Sequence, residues 1–113
     1  MSLEEALQQP QNDFLRDAVI QRFAYTYELS WKALKRYFEI NNQLQEFNIR
    51  NIFRKAGKQG LITSVKDWFD YQKARNLTIH TYREMTADDV YELAKKFLPE
   101  VKGLLEKLEM LIA

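Results

Sequence analysis

The sequence contains no cysteine and a single histidine, His80. Disulfide scaffolds, Cys-zinc sites and thiol nucleophiles are thereby excluded, as is any metal site needing two histidines from one chain. Glycine and proline are scarce, at three and two residues among 113. Sandwiches and barrels need a turn about every 8–12 residues and usually build it from these types, so the scarcity argues for long helices. Neither sign of charge is in excess: 17 Lys and Arg face 16 Asp and Glu, for a net charge of +1. A globally basic nucleic-acid binder and an acidic tail are not indicated, which leaves room only for a local patch. No apolar run approaches the ~18 residues of a membrane span, and Met1-Ser-Leu-Glu-Glu5 does not read as a secretory leader. The absences together predict a cytoplasmic helical protein with no membrane association and no resident metal or cofactor.

Apolar residues make up 46% of the chain and aromatics 13%, well above a disordered composition. A chain of this length buries roughly 65% of the surface it exposes when unfolded, enough for one core and one domain over residues 1–113. Ser2 and Glu5 have capping-box spacing and open a short helix that should stop near Pro10. Residues 13–42 then run without Gly or Pro. Leu15, Val19, Phe23, Tyr27, Trp31, Leu34 and Phe38 recur there in steps of four or three, one stripe on a long helix. Asn48 can cap a short helix carrying Ile49, Ile52, Phe53 and Ala56, which Gly57 and Gly60 should end. Ser64 with Asp67 starts a helix that runs to about Tyr82, and Thr86 with Asp89 starts the last one. Pro99 should kink this last helix, because it lacks an N–H and crowds the preceding turn. The expectation is an all-α antiparallel bundle of four main helices plus short ones. Its aromatic-rich stripes are wide, and whatever the core leaves uncovered would form a dimer interface.

Most catalytic templates fail on this sequence, which has no Gly-rich phosphate loop and no nucleophile elbow. Functional residue types concentrate in one place. Arg75, Asn76, His80, Tyr82 and Arg83 lie within nine residues near the end of a predicted helix. Asn76 and His80 are one turn apart, whereas Arg75 and His80 are about 140° apart and meet only if the arginine bends round or a second chain contributes. A guanidinium presents a rigid, permanently charged fork to phosphate oxygens, and an imidazole moves protons near neutrality. The pair therefore suits phosphodiester cleavage, with the RNA 2′-hydroxyl as nucleophile and no metal. By spacing alone, a histidine at a helix end is more often a capping or hydrogen-bonded residue. A second group, Arg50, Arg54, Lys55 and Lys58, holds four positive charges with no acid and could follow a phosphate backbone, or simply form a solvated helix face.

Three stretches carry a resemblance: Asn12-Asp-Phe-Leu-Arg-Asp-Ala-Val-Ile-Gln-Arg-Phe23, Thr26-Tyr-Glu-Leu-Ser-Trp-Lys32 and Arg75-Asn-Leu-Thr-Ile-His-Thr-Tyr82. They resemble the nucleotidyltransferase substrate-binding protein family of the HEPN superfamily over residues 3–98, although the first helix is short for the family. The resemblance implies a helical homodimer and a separately encoded minimal nucleotidyltransferase as partner. It also implies that Arg75 and His80 form the R-x4–6-H motif associated with metal-independent RNA cleavage, with Asn76 as the polar residue after the arginine. Motifs from two chains would then face one another, which resolves the geometry of Arg75 and His80. Some related toxin–antitoxin pairs carry R-x4–6-H-x-Y, and the partner silences the nuclease by transferring AMP to that tyrosine; Tyr82 matches. The alternative implied by the family name is a non-catalytic subunit that binds a nucleotide or substrate, with Arg75 on phosphate and Trp31 stacking a base.

Overall fold

In the computed structural model the described residues are 2–8, 13–41, 48–80 and 87–112, with the side chains at 13–15, 77–80, 87 and 112 outside the description. Five helices follow in order: α1 (Leu3–Gln8), α2 (Asp13–Ile40), α3 (Ile49–Lys58), α4 (Val65–His80) and α5 (Ala87–Ile112). The described residues contain no strand. Pro10, Tyr82 and Thr86 lie outside the described residues, as does the side chain of Leu15.

Helix ends follow local chemistry. The Ser2 hydroxyl accepts from the Glu5 N–H at 3.1 Å and opens α1. Asn48 Oδ1 accepts from the N–H groups of Arg50 (2.9 Å) and Asn51 (3.4 Å) and starts α3. The Ser64 hydroxyl accepts from the Asp67 N–H at 3.2 Å and starts α4. Termination of α3 differs from expectation. The helix runs through Gly57, and Gly60 alone supplies the left-handed turn, at φ +73°. Leu61 N–H donates to Ala56 C=O and Gly60 N–H to Gly57 C=O, the paired bonds of a Schellman cap. Gly57 serves packing instead. A Cβ there would lie 2.5 Å from Val65 Cγ2, so its bare backbone lets α3 approach the start of α4. Helix α5 continues through Pro99 as one element.

Helix α2 touches each of the other four helices. At 1.5 Å per residue it is about 42 Å long, close to the molecule's 44 Å longest dimension. Five members of its predicted stripe face the core, with Val19, Phe23, Tyr27, Leu34 and Phe38 all buried, whereas Trp31, expected in the same stripe, is only partly buried at its edge. They meet aromatics from three other helices. Phe97 of α5 packs edge-on against Phe23 (5.1 Å between centroids), Tyr71 (5.0 Å) and Trp68 (5.5 Å), and Phe53 of α3 packs on Trp68 at 5.4 Å. Helices α4 and α5 run antiparallel, with Asp67 bonded to Lys96 and Thr63 to Glu100. Some apolar side chains stay uncovered. Tyr25, Leu29 and Ile40 are exposed within about 60° of one another on α2, and Leu105, Met110 and Leu111 are exposed on α5.

Candidate functional site

The edge of the α2 core stripe, where Trp31 meets charged neighbours, forms one wall of a cleft. Glu28, Trp31 and Lys32 line it beside Tyr27; the start of α3 contributes Asn48, Ile49 and Arg50; α4 contributes Gln72, Arg75 and Asn76. The volume is about 720 Å³, within the range of small-molecule sites. Local sequence explains the placement. Tyr71 and Ala74 are buried on α4, so their neighbours Gln72 and Arg75 sit half-buried at its margin, and the Asn48 cap turns the chain into α3 at the cleft edge.

Arg75 is held from two directions. Its Nη2 pairs with Glu28 Oε1, both side chains about a quarter exposed, and its Nη1 donates to Asn76 Oδ1 at 3.3 Å. The other oxygen of Glu28 lies 3.8 Å from Lys32 Nζ. The cleft therefore holds three cations, Lys32, Arg50 and Arg75, against one carboxylate that two of them share. Beneath them the Tyr27 hydroxyl is buried with no hydrogen-bond partner among the described residues. Burial pushes it well above the ordinary phenol range; Glu28 adds to that shift and Arg75 opposes it.

The four basic residues of α3 divide. Arg50 lines the cleft, with its guanidinium carbon 4.7 Å from the Phe69 ring, and Arg54 shares that ring at 5.7 Å while donating to Asn51 Oδ1 at 3.1 Å. Lys55 turns the other way, over Phe38 at 5.8 Å, and Lys58 is exposed beyond it. A single row of four does not form, because Lys55 sits about 100° round the helix from Arg54.

His80 is the last residue of α4, its side chain outside the described part, and Tyr82 lies outside the described residues. Because α4 stays helical to its end, the positions of Arg75 and His80 keep their separation of about 140°. The structure thus brings together Arg75, Asn76, Trp31 and Arg50 of the residues singled out from sequence. It adds Glu28, Lys32, Asn48 and Gln72, which sequence reading missed. Glu28 and Lys32 have i, i+4 spacing and fall in the Thr26–Lys32 stretch, and Asn48 reads as a helix cap, but nothing local places any of them at this cleft. Among the described residues no group of three or more His, Cys, Asp or Glu gathers to hold a metal, and no helix is long and apolar enough to cross a membrane.

The chain is 38% identical over 100 residues to the probable ribonuclease HepT of Haemophilus influenzae, covering 85% of this chain and 68% of that one. Solved structures share its fold, two of them at 29% and 32% identity. One, from Haemophilus influenzae, is described as the fold of a substrate binding domain of a nucleotidyltransferase; it superposes with a TM-score of 0.80 at 32% identity over 95% of this chain and 91% of its own. The other, from Thermus thermophilus, superposes at 0.82 with 29% identity over 94% and 92%. The family model described as nucleotidyltransferase substrate binding protein like matches residues 1–110, nearly the whole sequence, and the chain belongs to that family.

Proposed function

We propose that the protein is a metal-independent ribonuclease of the HEPN type, acting as a homodimer in the cytoplasm. It would be the toxin of a two-component system whose antitoxin is a minimal nucleotidyltransferase. The observation that carries the reading is Arg75. A half-buried guanidinium lines a cleft with two further cations, in a chain with the spacing Arg-x4-His, and a ribonuclease name on a relative 38% identical adds support. In the reaction the ribose 2′-hydroxyl attacks phosphorus and the P–O5′ bond breaks. One His80 takes the 2′ proton and the partner copy's histidine supplies a proton to the leaving O5′, giving a 2′,3′-cyclic phosphate and a 5′-hydroxyl. Arg75 stabilises the charge growing on the phosphoryl oxygens, and Asn76 orients the arginine through its 3.3 Å contact. The uncovered Tyr25, Leu29 and Ile40 suit burial between two copies. Adenylylation of Tyr82 by the partner would place an anionic nucleotide beside the motif and cancel the charge of Arg75.

The test is RNA cleavage by the purified chain in EDTA. Activity that disappears in both Arg75→Ala and His80→Ala, with circular dichroism unchanged, is the expected result. Equal cleavage by wild type and His80→Ala overturns it. The family description favours a second reading, a subunit that binds a nucleotide or substrate for a nucleotidyltransferase without turning it over. Saturable nucleotide binding with no RNA turnover would decide for it.

A further inference from the structure

Beyond Arg50, the outer face of α3 has no part in the cleft. The helix carries no Asp or Glu, and Arg50, Arg54 and Lys58 occupy successive turns of it, all exposed. Each step advances about 6 Å along the axis and about 40° around it, so the charges make one gently winding row. Neighbouring phosphates on an RNA strand are separated by a comparable distance. Elsewhere cations are matched: Lys66 pairs with Asp70, Lys96 with Asp67 and Lys102 with Glu4. No member of the row has a carboxylate partner among the described residues. Its first two members are also drawn together. Their guanidiniums share the Phe69 ring, at 4.7 and 5.7 Å, and Asn51 Oδ1 accepts from Arg54 at 3.1 Å. Ring and carboxamide order the two forks, yet neither cancels a charge, so the mutual repulsion remains. A solvated face gains nothing from that arrangement. A polyanion laid along the row relieves the repulsion and meets forks that are already ordered. An acidic protein supplies the charge without a regular repeat, whereas a nucleic-acid strand supplies both. The row also starts at the cleft that holds Arg75, because Arg50 lines it.

We propose that the outer face of α3 is a backbone track for single-stranded RNA, with Arg50, Arg54 and Lys58 on successive phosphates to one side of the bond cut at Arg75. Lys55, turned over Phe38, lies off the track. Phosphates are common to every sequence, so the track sets affinity and the shortest substrate held well, and it confers no base preference. The track rests on the proposed function in one respect: the strand is cleaved where it enters the cleft.

The test uses the full chain and a length series of 2′-O-methyl RNA strands, which lack the 2′-hydroxyl nucleophile and cannot be cleaved. Fluorescence anisotropy reads affinity at several salt concentrations. Affinity should climb steeply until a strand spans both cleft and track, and only weakly beyond. In each of Arg50→Ala, Arg54→Ala and Lys58→Ala the slope of log K against log salt should become shallower by about 0.7. Binding should weaken several-fold in each, to the same extent for U-rich and A-rich strands. Arg54→Lys keeps the charge and should retain most of the affinity, and Lys102→Ala, paired elsewhere with Glu4, should leave the slope alone. A slope unchanged in folded Arg54→Ala and Lys58→Ala overturns the track. So does poly-glutamate of equal charge that binds as tightly as the strand, which would assign the face to an acidic protein. Tighter binding of a base-paired duplex of equal length overturns the single-strand assignment. The two proposals fail separately. Strand binding that needs the track, without cleavage of natural RNA, removes the nuclease and leaves the track. Cleavage that depends on Arg75 and His80 but keeps its kcat/KM on long RNA in Arg54→Ala and Lys58→Ala removes the track and leaves the nuclease.

Discussion

Arg75 carries a permanent charge in a half-buried position, and Glu28 makes that tolerable. The carboxylate neutralises the guanidinium and fixes its fork, with Asn76 as the third member. The same contact competes with any phosphate for the arginine. In Glu28→Gln the ion pair becomes a neutral hydrogen bond, and stability should fall by about 1 kcal/mol, more than an exposed surface pair would show. The urea midpoint measures it. Inorganic phosphate should bind several-fold more tightly to this variant, because the guanidinium no longer has an anionic partner; weaker phosphate binding would mean that Glu28 chiefly orients Arg75. Arg75 and Asn76 were visible in the sequence as neighbours in a recognisable spacing. Glu28 was not, since it lies 47 positions away from Arg75 and its own neighbourhood shows only a pairing with Lys32.

The helices begin and end where backbone donors and acceptors find local partners, and for that reason they were legible. Ser2, Asn48 and Ser64 each accept from an orphan N–H within three residues. Glycine was the harder case, because one residue type serves two purposes. Gly60 satisfies a backbone conformation, whereas Gly57 satisfies a distance to another helix, and only the first leaves a local trace. Alanine at position 57 improves helix propensity by about 1 kcal/mol but meets Val65 at 2.5 Å. Overpacking costs about 1–3 kcal/mol, so Gly57→Ala should be destabilising by on the order of 1 kcal/mol. Adding Val65→Ala removes the obstructing methyl, and a double-mutant cycle in urea should show a favourable coupling between the two substitutions. A Gly57→Ala protein more stable than wild type would contradict the close approach of α3 and α4.

Across the whole molecule, four helices contribute aromatics to one core, and two of those rings are tyrosines at its depth. Burial pushes the Tyr71 hydroxyl well above its usual value of 10.0, with Asp67, Glu100 and Asp70 adding to the shift, and Tyr27 is raised likewise. Both groups keep their protons in the folded state after the unfolded chain has begun to lose them. Their contribution to stability is complete below pH ~10 and declines as pH rises from there toward the folded values. Thermal unfolding should therefore shift to lower temperature above pH ~10, and Tyr71→Phe should flatten that decline. The Tyr71 hydroxyl has no hydrogen-bond partner among the described residues. At pH 7 the phenylalanine variant should thus match the wild type or exceed it by up to about 1 kcal/mol. A loss of several kcal/mol at pH 7 would reveal a partner for that hydroxyl.

Composition and periodicity by themselves determined that this chain is helical, that Ser2, Asn48 and Ser64 cap helices, and most of the stripe of α2 that turns inward. Those properties depend on hydrogen bonds and spacings that close within about four residues. Tertiary structure decided the rest. It joined Glu28 to Arg75, brought Arg50 to the Trp31 wall while turning Lys55 away, and made Gly57 a point of contact. Each of these depends on how one helix is rotated and crossed against another. That rotation is set by ridge-and-groove packing of buried side chains far apart in the chain, which no local window contains.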